Sequence, residues 1–291
     1  LGIPLPFDSK NVKPYSFVNT KVAQQIQFAF HALAIDEKRH FFTPTLWEWP
    51  DKPNRLQKLK QCWFPGCHSN IGGSYPDAGI SNISLAWMIS QLEENDIGEN
   101  GKGILSFDPH YLDWVQDNNT AFYNQQVPKQ LRPWGFGKLY NSSEVTSLTS
   151  LATSLLPIVR TPGYYTEVSD QTGTAGDKQL NRPGECIHRC VRVRIDGGGL
   201  GQEEHSDQTK TNKLFDLAKK ALHLTGVYNP EALKDFQCVE SPQVKTETDH
   251  SAVSSGVVWR AKDGSGRELP EDTLGATEIR LLRRSINNAR F

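Results

Sequence analysis

No stretch of this chain approaches the ~20 consecutive apolar residues that a membrane-spanning helix needs, so no transmembrane segment is expected. Charge of either sign is not in excess: 32 Lys and Arg stand against 33 Asp and Glu. That balance removes the electrostatic reason to expect nucleic acid as a partner, and it allows at most peripheral contact with a membrane. Methionine occurs once, and residue 1 is Leu1. The opening Leu1-Gly2-Ile3-Pro4-Leu5-Pro6 has neither the charged start nor the apolar core of a signal peptide. The expectation is a cytoplasmic chain that begins inside a larger domain. The five cysteines, at 62, 67, 186, 190 and 238, are odd in number and form no compact framework. They read as reduced thiols rather than a disulfide scaffold. No internal repeat is visible.

What is present is enough for a core: 291 residues, 37% apolar and 10% aromatic, with seven Trp. Val22, Ile26, Ala29, Phe30 and Leu33 recur at helical spacing, which predicts a helix from Asn19 to about Arg39. Gln61-Cys62-Trp63-Phe64, closed by Pro65-Gly66, suits a buried strand. A second helix is expected around residues 82–94, where Ile83, Leu85, Ala86, Trp87, Ile89 and Leu92 leave little polar circumference. Helix, strand, Gly-rich turn and helix make α/β grammar. Farther on, 107–115 reads as a short helix and 122–137 as irregular loop. Cys190-Val191-Arg192-Val193-Arg194-Ile195 alternates like a strand. Val257–Ala261 with its Asp263-Gly264 turn suggests a hairpin, and Leu274–Ile286 a closing helix with a basic last turn. Residues 201–215 and 240–256 read as loops.

The informative cluster is Trp63-Phe64-Pro65-Gly66-Cys67-His68-Ser69-Asn70-Ile71-Gly72-Gly73-Ser74-Tyr75. In open α/β folds, functional groups gather beyond the carboxyl ends of strands. An imidazole there suits proton transfer to and from a hydroxyl. From the residues alone, His68 is either such a base or, more commonly, a hydrogen-bonded loop histidine.

This stretch resembles the Trp-Phe-x-Gly-x-His-Ser-Asp-Val-Gly-Gly-Gly-Tyr signature of the type VI secretion phospholipase effector catalytic-domain-like family, which has many fungal members. His31-Ala32-Leu33-Ala34-Ile35-Asp36-Glu37-Lys38-Arg39 looks like its His-Ala-Leu-Ala-Leu-Asp-Glu-x-Arg block. Ile83–Ile89 is similar to its helix after the histidine, and Gly2-Ile3-Pro4 to a segment after its Asp-Thr-Val. The resemblance is strong over residues 1 to about 95 and weaker at Arg160–Tyr164 and Val191–Arg194. It implies an α/β-hydrolase fold, here as an incomplete sheet with flanking helices followed by a mixed α+β region. It also implies a Ser-Asp-His triad acting on carboxylic esters, lipids among them, with His68 as general base. No cofactor and no metal is implied. The family's Ser and Asp would lie upstream of Leu1, since this sequence holds no Gly-x-Ser-x-Gly, and the chain alone is expected to be inactive. Residues 1–115 would then be the end of the hydrolase domain and 116–291 an accessory, lid-like region. Two positions depart from the signature: Asn70 replaces Asp and Ser74 replaces Gly. Restoring Asp at 70 is expected to be tolerated.

The other candidates read less well. Asp36 is expected at a helix end, as a cap or ion pair, and Ser69 and Cys67 adjoin His68 and point elsewhere. Cys186-Ile187-His188-Arg189-Cys190 would align three soft ligands on one strand face, but its spacing and missing fourth ligand favour buried thiols over zinc. Tyr111, Trp114, Phe122, Tyr123, Trp134 and Phe136 belong to a lid, an acyl-chain surface or the core. The rival to an ester hydrolase is a non-catalytic interaction module on the same fold.

Overall fold

A three-stranded parallel sheet organises the chain in the computed structural model, which describes residues 20–39, 42–51, 55–96, 103–126, 132–140, 158–168, 175–180, 183–197, 228–240 and 256–288. The expectations for residues 1–19 and 201–215, and for all but the two ends of 240–256, fall outside these residues. The sheet runs β1 (Phe28–Ala34), β2 (Lys58–Phe64) and β5 (Glu185–Ile187), with β2 in the centre. Phe28 pairs with Lys58 through to Ala34 with Phe64. β5 docks on the other side, with Cys62 opposite Cys186. Gly184 makes that docking possible. It sits at φ +63°, and a Cβ there would lie 2.1 Å from the Leu59 carbonyl oxygen.

Both faces of this sheet are covered, as parallel sheets require. Cys62 and Phe64 face a helical layer of α2 (Gly79–Asn95), α3 (Pro109–Gln125) and α5 (Ala276–Asn288), meeting Ile83, Trp87, Leu112 and Leu281. Trp63 points the other way, into Phe236, Trp259, Ala261 and Leu269. Those belong to an antiparallel sheet of β6 (Phe236–Glu240), β7 (Val257–Ala261) and β8 (Glu268–Pro270). Trp63, Phe64 and Trp87 are fully buried, and each contributes about 2–3 kcal/mol of apolar burial. A two-stranded sheet, β3 (Thr166–Val168) and β4 (Ala175–Gln179), and the short helices α1 (His68–Gly72) and α4 (Arg189–Asp196) complete the described elements. The fold is mixed α/β. Among the described residues no helix is long and apolar enough to cross a membrane.

Several expectations are corrected. The helix expected over Asn19–Arg39 is strand β1. A spacing of four residues satisfies both a 3.6-residue and a two-residue period, and a strand apolar on both faces, as β1 is, shows no polar alternation to break the tie. The strand expected at Cys190–Ile195 is helix α4. Its strand-like alternation is overridden by His188, whose Nδ1 accepts the Cys190 N–H and starts the helix. Val191 and Arg194, three apart, are both buried by the helical turn. The aromatic helix near 107 extends to Gln125, started by Asp108, whose carboxylate accepts the His110 N–H. α5 forms as expected, with its arginines in the middle rather than the last turn.

Candidate active site

β2 ends at Phe64 against the α-helical layer, and the chain must turn sharply to begin α1. Gly66 provides the turn at φ +104°, where a Cβ would meet the Asn70 side chain at 2.6 Å. Its N–H donates to Asp36 Oδ2 at 2.7 Å. Asp36 therefore sits in the turn after β1, not at a helix end, and it also accepts the Tyr228 hydroxyl at 2.8 Å. Burial raises its pKa, opposed by the bonds from Gly66 and Tyr228. Next to it, buried Glu37 accepts the His68 N–H at 3.0 Å and two guanidinium N–H groups of Arg39. Two adjacent carboxylates at the end of β1 thus grip the backbone of the loop at the end of β2.

His68 is the first residue of α1 rather than a loop residue. Its side chain is exposed, with its ring 4.9 Å from that of Phe42. Among the described residues neither ring nitrogen has a hydrogen-bond partner. This is the opposite of a histidine held for structure. It lines a cleft of about 890 Å³ that follows the edge of β1, a strand that among the described residues pairs only with β2. The cleft walls are largely apolar: Leu33, Phe42, Ile71, Leu85, Met88 and Val115.

A second imidazole, that of His31, lines the same cleft, and its sequence motif assigns it no role. His31 stacks on Trp47 at 4.8 Å, and its Nδ1 lies 3.2 Å from Gln61 Oε1. Gln61 is fully buried and its amide is unambiguous in direction. Its nitrogen donates to the carbonyls of Trp47 at 2.9 Å and Pro183 at 2.6 Å, and its oxygen accepts the Trp47 N–H at 2.9 Å. The Nδ1 of His31 must then carry the proton. Burial lowers its pKa, against the bond from Gln61, so the ring stays neutral and Nε2 is left as a hydrogen-bond acceptor.

The remaining candidates are placed as follows. Cys67 is buried with its thiol 3.3 Å from Asn70 Oδ1, and burial pushes its pKa up, the reverse of an activated nucleophile. Asn70 is buried and uses both ends of its amide. Oδ1 accepts the N–H groups of Cys67 and Tyr140, and Nδ2 donates to the Lys138 carbonyl at 2.8 Å. An Asp here would turn a carboxylate oxygen on that carbonyl, which revises the expectation that Asp is tolerated. Ser74, where the signature has Gly, is at φ +93°. The Cys186, His188 and Cys190 side chains do not converge. His188 Nε2 meets Glu278 Oε1 at 2.7 Å and Nδ1 meets Cys190 Sγ at 2.9 Å, all three buried, whereas Cys186 turns toward Cys62 and Asp272. Of the six aromatics, Tyr111 and Trp114 are exposed, with rings 5.7 Å apart, and Tyr111 borders the cleft. Tyr123 and Trp134 are core.

Comparison with curated proteins and with solved structures returned no match. Residues 1–91, the stretch that carries His31, Asp36 and His68, match the family model described as "T6SS, Phospholipase effector Tle1-like, catalytic domain", in agreement with the resemblance carried by their motifs.

Proposed function

We propose that this chain contributes the general base of a serine carboxylester hydrolase acting on lipid esters, and that His68 is that base. The carrying observation is the free, exposed imidazole of His68 at the carboxyl end of a central parallel strand, on the wall of a large apolar cleft. The match of residues 1–91 to a phospholipase catalytic family supports the lipid ester as substrate. In this reading a serine hydroxyl attacks the ester carbonyl while His68 takes its proton and returns it to the leaving alkoxide. A third carboxylate orients the imidazole. Asp36 and Glu37 do not serve, for their oxygens hold Gly66, Tyr228, Arg39 and the His68 backbone. The serine and its orienting aspartate come from outside these 291 residues, which hold no Gly-x-Ser-x-Gly. The exposed Tyr111 at the cleft, with the exposed Trp114 ring 5.7 Å from it, suits contact with acyl chains or a lipid surface.

The test is turnover of a short-chain phosphatidylcholine and a nitrophenyl ester by two preparations: the 291-residue chain, and a longer polypeptide that carries a Gly-x-Ser-x-Gly segment before it. Turnover should be confined to the longer one and depend on His68. Turnover by the shorter chain, or turnover indifferent to His68, would sink the assignment.

A further inference from the structure

Away from the cleft, the parallel pairing of β2 and β5 sets Cys62 directly opposite Cys186. A third segment is fastened beside them: Asp272, just after β8, donates its N–H to the Ile187 carbonyl at 2.9 Å. The result is that Cys62 Sγ, Cys186 Sγ and a carboxylate oxygen of Asp272 all lie within 4.8 Å of one another, with all three residues buried. Donor atoms on a tetrahedral zinc ion stand about 3.3–3.8 Å apart, given Zn–S near 2.3 Å and Zn–O near 2.0–2.2 Å. The three atoms therefore need to close by at most about 1–1.5 Å to hold such an ion.

Charge decides whether a buried site can take a dication. Here Asp272 is already paired with Lys60, whose Nζ donates to Oδ1 at 2.8 Å. Two neutral thiols plus that ion pair carry no net charge. When both thiols lose protons to a dication, the sum is two thiolates, one carboxylate, one ammonium and the dication, again zero. The cluster thus exchanges two protons for one divalent ion without leaving net charge in the interior. Thiolate ligands select the ion as a thiophilic one with filled d orbitals.

We propose that Cys62, Cys186 and Asp272 form a binding site for zinc or a chemically similar thiophilic dication, with Lys60 balancing the charge. The three side chains leave the fourth position of a tetrahedral ion to a small exogenous ligand, and the ion joins β2, β5 and the segment leading into α5, three parts of the chain far apart in sequence. It takes no part in the cleft chemistry, and the inference stands whether or not His68 is a catalytic base.

The experiment is a titration of the reduced, metal-free 291-residue chain with Cd²⁺, read by the thiolate-to-cadmium charge-transfer band in the ultraviolet. One equivalent should bind, with quenching of Trp87, whose Nε1 donates to Asp272 Oδ2 at 2.7 Å. The ¹¹³Cd chemical shift of the parent chain should report two sulfur ligands, a readout that needs no variant to fold. Zn²⁺ should raise the Tm of the parent. Cys62→Ser and Cys186→Ser should each weaken binding about a hundredfold or more and abolish the Tm rise. Cys238→Ser, which alters the exposed cysteine, should change nothing. A band that vanishes in Cys238→Ser and survives in the other two overturns the proposal. So does a one-sulfur ¹¹³Cd shift, absence of binding at micromolar Cd²⁺, or a Cys62–Cys186 disulfide in chain isolated without reductant.

Discussion

β2 and β5 lie side by side, and each carries a histidine just beyond its carboxyl end with a cysteine and a carboxylate close by. At β2 these are His68, Cys67 and Glu37; at β5 they are His188, Cys190 and Glu278. The outcomes are opposite. His188 is wholly buried and both ring nitrogens are engaged, one by Glu278 and one by Cys190. His68 is exposed, its ring has no hydrogen-bond partner among the described residues, and its carboxylate holds the backbone N–H instead. The same residue types at neighbouring strand ends therefore make a structural lock in one place and an exposed ring in the other. What separates them is whether the carboxylate reaches the ring or the main chain.

The contrast is broken most sharply by removing each ring's function. In the active polypeptide, His68→Ala should lower kcat by roughly four to six orders of magnitude, because members of a triad act as a unit. Its Tm should stay within the small range of surface changes. If stability falls instead, His68 belongs with His188. At the buried end, Glu278→Ala should cost about 3–5 kcal/mol in denaturant unfolding, since it strips a buried imidazole and the Gly275 N–H of their acceptor. A loss under 1 kcal/mol would mean that the lock is no lock.

Between these lies Asn70→Asp, which restores the family signature and sets a carboxylate oxygen against the Lys138 carbonyl. Chemical denaturation should show a loss of about 1–3 kcal/mol. An unchanged midpoint would mean that Lys138 moves away. Asp36 offers a test with pH. Burial holds its native pKa above the unfolded value of 3.8. The native state then binds the proton more tightly, and this group's contribution to stability rises as pH falls through that native pKa toward the unfolded value and is lost as pH rises back through it. Asp36→Asn keeps an oxygen for Gly66 and Tyr228 while removing the charge. The variant should match or exceed the parent's Tm at pH 7 and lose the parent's gain on acidification. The smallest effect is Ser74→Gly, which relieves a positive φ and should stabilise by about 1 kcal/mol, read as a small rise in Tm.

The sequence makes some of this legible and hides the rest for physical reasons. β2, the helix through Trp87, the hairpin at Asp263-Gly264 and helix α5 announce themselves through short apolar runs, turn residues and helical period, and all are present. β1 does not, because Phe28-Ala29-Phe30-His31-Ala32-Leu33-Ala34 is apolar on both faces and its four-residue spacings suit either period. α4 does not, because one histidine cap outweighs six residues of alternation. His68 is marked out by its motif, and the structure leaves its ring exposed. His31 is quoted in the same motif, yet nothing in the sequence shows that Gln61, thirty positions away, sets its proton. The pairing of Cys62 with Cys186 is equally silent, since it depends on a register that only the folded sheet defines.

Gln61 carries a last consequence. Its one amide accepts from the Trp47 N–H and the His31 ring and donates to the carbonyls of Trp47 and Pro183. Two accepted and two donated bonds exhaust what a primary amide has to give. Glutamate would reverse two of the four polarities, leucine would leave all four partners dry, and asparagine falls one carbon short. Position 61 therefore favours one amino acid over all others. A saturation library sorted for folded protein should return glutamine there almost alone, although the residue never touches the cleft whose second imidazole it orients.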